Sequence, residues 1–167
     1  MAVSKGKEWE AFFKNFVVEH NKISDNKVDI VRLYDVIGKK TIEQPADFIC
    51  YRYPHEVYVE CKSTHEGSFS YYTQPQYIRL LAKSRIHGVR AGMILWFVKH
   101  QEIFWLDVNW LEAFYAKNGV KSVSAKGLNE YVKTGARGVY KVNAEFARVN
   151  PKTINVGELF DYIKEGI

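Results

Sequence analysis

The chain has 167 residues, 47% of them hydrophobic and 15% aromatic, enough for one domain, 1–167, with a substantial core. Its net charge of +5 is compatible with a polyanionic partner without demanding one. No run approaches the roughly 18 uninterrupted apolar residues of a membrane span, the first residues lack a signal peptide's apolar core, and Cys50 and Cys61 are too few for the usual zinc ligand set; a soluble, cytoplasmic protein with both cysteines reduced in the core is expected.

In chain order, residues 5–20 read as a helix whose apolar face is Trp9, Phe12, Phe13, Phe16 and Val17 at helical spacing. Glu10 falls on the border of that face and could reach a site the helix covers. Residues 27–44 are charged and rich in β-formers, with a basic turn at Gly38-Lys39-Lys40, and read as a short projecting hairpin or strand pair leading into Asp47. Residues 48–53 and 57–62 read as strands joined by a turn at Tyr53-Pro54-His55-Glu56. A polar loop, 63–70, precedes a helix opened by Gln74-Pro75, with an expected apolar stripe of Tyr77, Ile78, Leu81 and Ala82 and with Arg79, Lys83 and Arg85 facing outwards. The apolar runs 91–98 and 102–108 read as a central strand and its partner. Helices are expected from Asn109, as N-cap, to Asn118-Gly119, then over 124–132 and 156–165. The sum is an α/β domain with a mixed central sheet flanked by helices.

The chemistry concentrates in Pro45-Ala46-Asp47 and Glu60-Cys61-Lys62. In an extended strand alternate side chains share a face, so Val57, Val59 and Cys61 point one way and Tyr58, Glu60 and Lys62 the other. A hairpin brings Asp47 back towards Glu60. Magnesium keeps several waters and takes one or two carboxylates from protein, which matches this pair. A lysine beside it can hold an attacking water and offset charge growing on a phosphoryl group. The same acid-x-Lys pattern at Asp25-Asn26-Lys27 lies in a polar turn with no strand-borne carboxylate ahead of it, and carries no such reading.

With those residues placed, the chain resembles the PD-(D/E)xK nuclease superfamily, whose core has a restriction-endonuclease-like fold, and within it the RecU-type Holliday junction resolvases. Pro45-Ala46-Asp47 followed thirteen positions on by Glu60-Cys61-Lys62 fits the superfamily core. Gly6-Lys7-Glu8-Trp9-Glu10 is similar to the family's early acidic helix, Ser68-Phe69 with Gln74-Pro75-Gln76 to its stretch after the lysine, and Lys121-Ser122 to its later part. The resemblance implies catalytic roles for Glu10, Asp47, Glu60, Lys62 and Gln76, a magnesium ion, replaceable by manganese, held among Asp47, Glu60, Cys61 and Glu10, and a homodimer that cuts four-way DNA junctions. Arg32, Lys39, Lys40, Arg79 and Lys83 are the expected DNA contacts. The segment 27–44 is shorter than the stalk of RecU-type enzymes, which points to a compact, phage-borne relative working in its host's cytoplasm. Two other readings stay open: a PD-(D/E)xK endonuclease for linear duplex, of the restriction or mismatch-nicking kind, and a non-catalytic DNA-binding module. His65 is a loop histidine whose role the residues around it do not decide.

Overall fold

A computed structural model describes residues 5–34 and 43–166. Helix α1 (Lys5–Ile23) forms because Trp9, Phe13 and Val17 recur every fourth residue and are all fully buried. The indole Nε1 of Trp9 donates to the Ile94 carbonyl at 3.0 Å, which fixes the helix on the sheet. Beyond it Asn21 bonds both backbone groups of Val28, at 2.7 and 2.9 Å, and steers the chain into β1 (Asp29–Arg32).

β1 runs antiparallel to β2 (Phe48–Arg52), and β2 turns directly into β3 (His55–Thr64), so the turn is tighter and β3 longer than the sequence pattern predicts. β3 pairs in parallel with β5 (Val89–Phe97) over nine residue pairs, Glu56↔Val89 to Thr64↔Phe97. The crossover between them carries β4 (Ser68–Ser70) and α2 (Pro75–Ser84), where the sequence suggests a plain loop ahead of the helix. β6 (Glu102–Asp107) returns antiparallel and leads into α3 (Val108–Asn118). β7 (Ser122–Ser124) pairs with β4, α4 (Ala125–Lys133) follows, and β8 (Val139–Lys141) joins the main sheet beside β6. A hairpin, β9 (Ala144–Ala147) and β10 (Asn150–Ile154), precedes α5 (Val156–Glu165). The six-stranded sheet has the order β1-β2-β3-β5-β6-β8, mixed because the β3/β5 pair alone is parallel.

Helices cover both faces. Trp9, Phe13 and Val17 of α1 and Leu159, Phe160 and Ile163 of α5 pack on the side formed by Phe48, Cys50, Val57, Val59, Cys61 and Trp96. Tyr77, Leu80 and Leu81 of α2 and Leu111 of α3 pack on the other, against Tyr58, Met93, Leu95, Phe104 and Leu106. The α2 stripe is thus Tyr77, Leu80 and Leu81; Ile78 and Ala82 are exposed, because the helix is rotated to put Leu80 over the sheet. Asp107, not Asn109, caps α3, its carboxylate accepting from the Asn109 amide at 2.8 Å, while Gly119 closes the helix with φ 65° as expected. Both cysteines are free and buried. Among the described residues no helix is long and apolar enough to cross a membrane.

Candidate active site

The pairing of β2 with β3 builds the site. The pair Phe48↔Val59 sets Asp47 beside Glu60, just before β2 begins and where β3 runs on past it. Asp47 is held from two directions: its Oδ2 accepts from the Cys61 amide at 2.8 Å and its carbonyl accepts from the Leu33 amide at 2.8 Å. Glu60 follows Tyr58 onto the α2 side of the sheet and is only 2% exposed. Lys62, two residues on, projects beside it, with Nζ 2.8 Å from Glu60 Oε1. Gln76, in the first turn of α2, lies beyond, its Oε1 3.5 Å from the Lys62 ammonium.

Helix α1 supplies the opposite wall. Its start brings Glu10 to the same cleft, where the carboxylate is ion-paired with Arg32 of β1. The cleft has a volume of about 540 Å³ and is lined by Glu10, Asp47, Glu60, Lys62, His65 and Gln76, among others. A larger groove of about 930 Å³ lies at the far end of α1, between Phe12, Phe16 and His20 and the strand β10, away from these groups.

Burial is the first cause that disfavours ionisation of each of the three carboxylates, and the Asp47 charge adds to it at Glu60 and Glu10. Burial first, and then the Asp47 charge, pushes Glu60 up to about 7, against a downward pull from Lys62. Burial also raises Asp47, although the Cys61 amide, Lys62 and Arg32 all favour its charged form. Glu10 is raised by burial and by Asp47. The Asp47 and Glu60 carboxylates offer hard oxygen donors of the kind that suit a small divalent cation. Among the described residues no three His, Cys, Asp or Glu side chains are gathered closely enough to hold an ion together, and Glu10 is ion-paired with Arg32.

Of the residues singled out from sequence, Glu10, Asp47, Glu60, Lys62 and Gln76 therefore meet in one cleft. Cys61 does not bring its thiol there. Its side chain alternates to the α1 face, packs in the core, and is held protonated by burial, so the residue meets the cleft through its main chain. Of the expected DNA contacts, Arg32 pairs with Glu10 and lies 5.3 Å from the Tyr34 ring, Arg79 pairs with Glu43, and Lys83 is half-buried with its ammonium 5.0 Å over the Tyr58 ring. Lys39 and Lys40, with the tip of the expected hairpin, lie outside the described residues. The sequence reading missed Arg32 as the partner of Glu10. The register Arg32↔Phe48, one step from Asp47, is the signal that carries it, and that register follows only once β1 is known to pair with β2.

No protein-family model matches the sequence, and no curated protein matches it. Among solved structures the chain is similar to Hjc of Archaeoglobus fulgidus, a Holliday junction resolvase from an archaeal hyperthermophile, with 18% identity, a TM-score of 0.43, and an alignment covering 59% of this chain and 76% of that one.

Proposed function

We propose that this protein is a magnesium-dependent DNA endonuclease of the PD-(D/E)xK type, that its substrate is the four-way junction, and that it works as a homodimer. The observation that carries the reading is the convergence of Asp47, Glu60 and Lys62 on one strand end, with Asp47 locked onto the Cys61 amide. Magnesium, or manganese in its place, would be held by Asp47 and Glu60, with Glu10 and the Cys61 main chain at hand, and would supply positive charge to the phosphoryl oxygens during hydrolysis. Lys62 donates to the attacking water and offsets charge developing on the phosphate. Gln76 accepts from the Lys62 ammonium and keeps it aimed into the cleft. Arg32 holds Glu10 at the rim. In the reaction water adds across a P–O bond, its hydroxyl going to phosphorus and its proton to the departing sugar oxygen.

The junction and the dimer rest on the resemblance of the sequence motifs to RecU-type resolvases. A four-way junction is approximately two-fold symmetric, and paired cuts need two active sites related by the same symmetry. The test is cleavage of matched four-way and linear DNA by the purified protein with and without magnesium. Cutting of the junction that is abolished by chelation and by Asp47→Asn supports the reading. Failure to cut any DNA in magnesium or manganese overturns it, and equal cutting of linear duplex reassigns the protein to the linear-duplex endonucleases.

A further inference from the structure

We propose that the two-stranded ribbon β4–β7 is a contact surface for the phosphate backbone of a DNA arm leaving the cleft, with Lys121 as its charged contact. This rests on the nuclease reading and extends it to two strands whose residues include none of the expected DNA contacts.

The charge distribution along the chain points to this place. No aspartate or glutamate occurs between residues 67 and 101, nor between 113 and 129. β4 belongs to the first acid-free stretch and β7 to the second, and the fold zips them together. Two of the cations expected to meet DNA are ion-paired, Arg32 with Glu10 and Arg79 with Glu43. Lys121 is exposed and has no acidic partner among the described residues. What it has instead is the Tyr72 ring, 5.0 Å from its Nζ, with Tyr72 itself packed on Tyr115 at 4.5 Å. A cation–π contact steadies an ammonium without neutralising it.

The ribbon's face has the right chemistry. Ser68 opposes Ser124 and Ser70 opposes Ser122, so four serines share one face, while Phe69 and Val123 turn to the core. The Ser124 hydroxyl caps α4 through the Gly127 amide, and the Ser70 hydroxyl meets that of Thr73 at 3.2 Å. Lys121 directly precedes Ser122, and lysine and serine side chains are among those that contact phosphate and sugar. Position completes the case, because the ribbon segment leaves the cleft at His65 and returns to it at Gln76. Ser68 is three residues from His65, at most about 10 Å of extended chain, or about three steps of 3.4 Å along a DNA strand.

The experiment is binding of the full chain to a four-way junction and to linear duplex, without magnesium so that nothing is cut, across a series of salt concentrations. Lys121→Ala is expected to weaken binding roughly 3- to 10-fold and to reduce the slope of log affinity against log salt by about 0.9, the value of one lost phosphate contact. Lys121→Glu should weaken it further and Lys121→Arg should restore it, which separates lost charge from lost packing. Lys22→Glu, at the other end of α1, is the control for net charge. Lys121 variants that bind within twofold of wild type with an unchanged slope, or a loss equalled by Lys22→Glu, overturn the proposal while leaving the nuclease reading intact. Wild-type protein that binds no DNA overturns both.

Discussion

Glu60 is a carboxylate that water barely reaches, and its position makes the stability of the fold depend on pH. Its folded value of about 7 lies above its ordinary one, so between about pH 4.5 and pH 7 the folded chain keeps a proton that the unfolded chain has released. Stability is therefore full below that window and falls as pH rises through it, with Asp47 and Glu10, also raised, adding in the same direction. Without divalent metal the melting temperature should drop by several degrees between about pH 5 and about pH 8, each kcal/mol being worth about 2–4 °C for a domain of this size. Glu60→Gln should flatten that dependence. A melting temperature that rises over the same interval contradicts the assignment of Glu60 as a buried acid. Magnesium should raise the melting temperature at the upper pH and do little at the lower, since its donors must be ionised. On the reaction itself, Asp47→Asn and Glu60→Gln should each lower junction cleavage by at least about 100-fold, as should Lys62→Ala, with junction binding retained. Near-normal cleavage by any of the three removes that residue from the mechanism.

At the scale of elements, the hairpin β2–β3 was legible in the sequence because its information is local. The alternation Val57, Val59, Cys61 against Tyr58, Glu60, Lys62 follows from the strand period alone, and the structure keeps it. The α1 stripe was legible for the same reason. Elements that depend on distant partners were not. Ile78 and Leu80 are both acceptable neighbours for Tyr77 on a helix, and only the sheet beneath α2 selects Leu80. β4, β7 and β8 have three residues each, too few to show a period, and exist because a partner strand completes their hydrogen bonds. Gly92 is a further case. A Cβ there would lie 2.4 Å from the Leu106 carbonyl oxygen and 2.5 Å from the Trp105 ring, so β5 and β6 approach closely only because the residue is glycine. Gly92→Ala should cost about 1–3 kcal/mol of stability, measured by denaturant unfolding; a cost below about 0.5 kcal/mol would mean that the sheet relaxes freely at this point.

For the whole molecule, the expectation from symmetry is that two chains act together. Sedimentation should give twice the mass of one chain at micromolar concentration. Mixed dimers of wild-type and Asp47→Asn chains should nick one strand of a junction and leave the other whole, whereas a protein that acts as a monomer would show only the summed activity of its separate chains. The site's outer parts come from three separate regions of the sequence, α1 with Glu10, the β2–β3 hairpin, and α2 with Gln76, so the cleft closes only when α1 and α2 have docked on opposite faces of the sheet.

The way Asp47 reaches Glu60 constrains how such a sequence can drift. The two are joined through a turn at Tyr53-Pro54, where extra residues would lengthen a surface connection without disturbing the ladder. Glu60 and Lys62 have no such slack, since one residue inserted between them turns one of the two side chains into the apolar core. Descendants of a common ancestor can therefore differ in the distance from aspartate to glutamate while holding glutamate and lysine two apart. Shared descent in this architecture is better sought as a short invariant couplet on the strand facing α2 than as a fixed spacing along the chain.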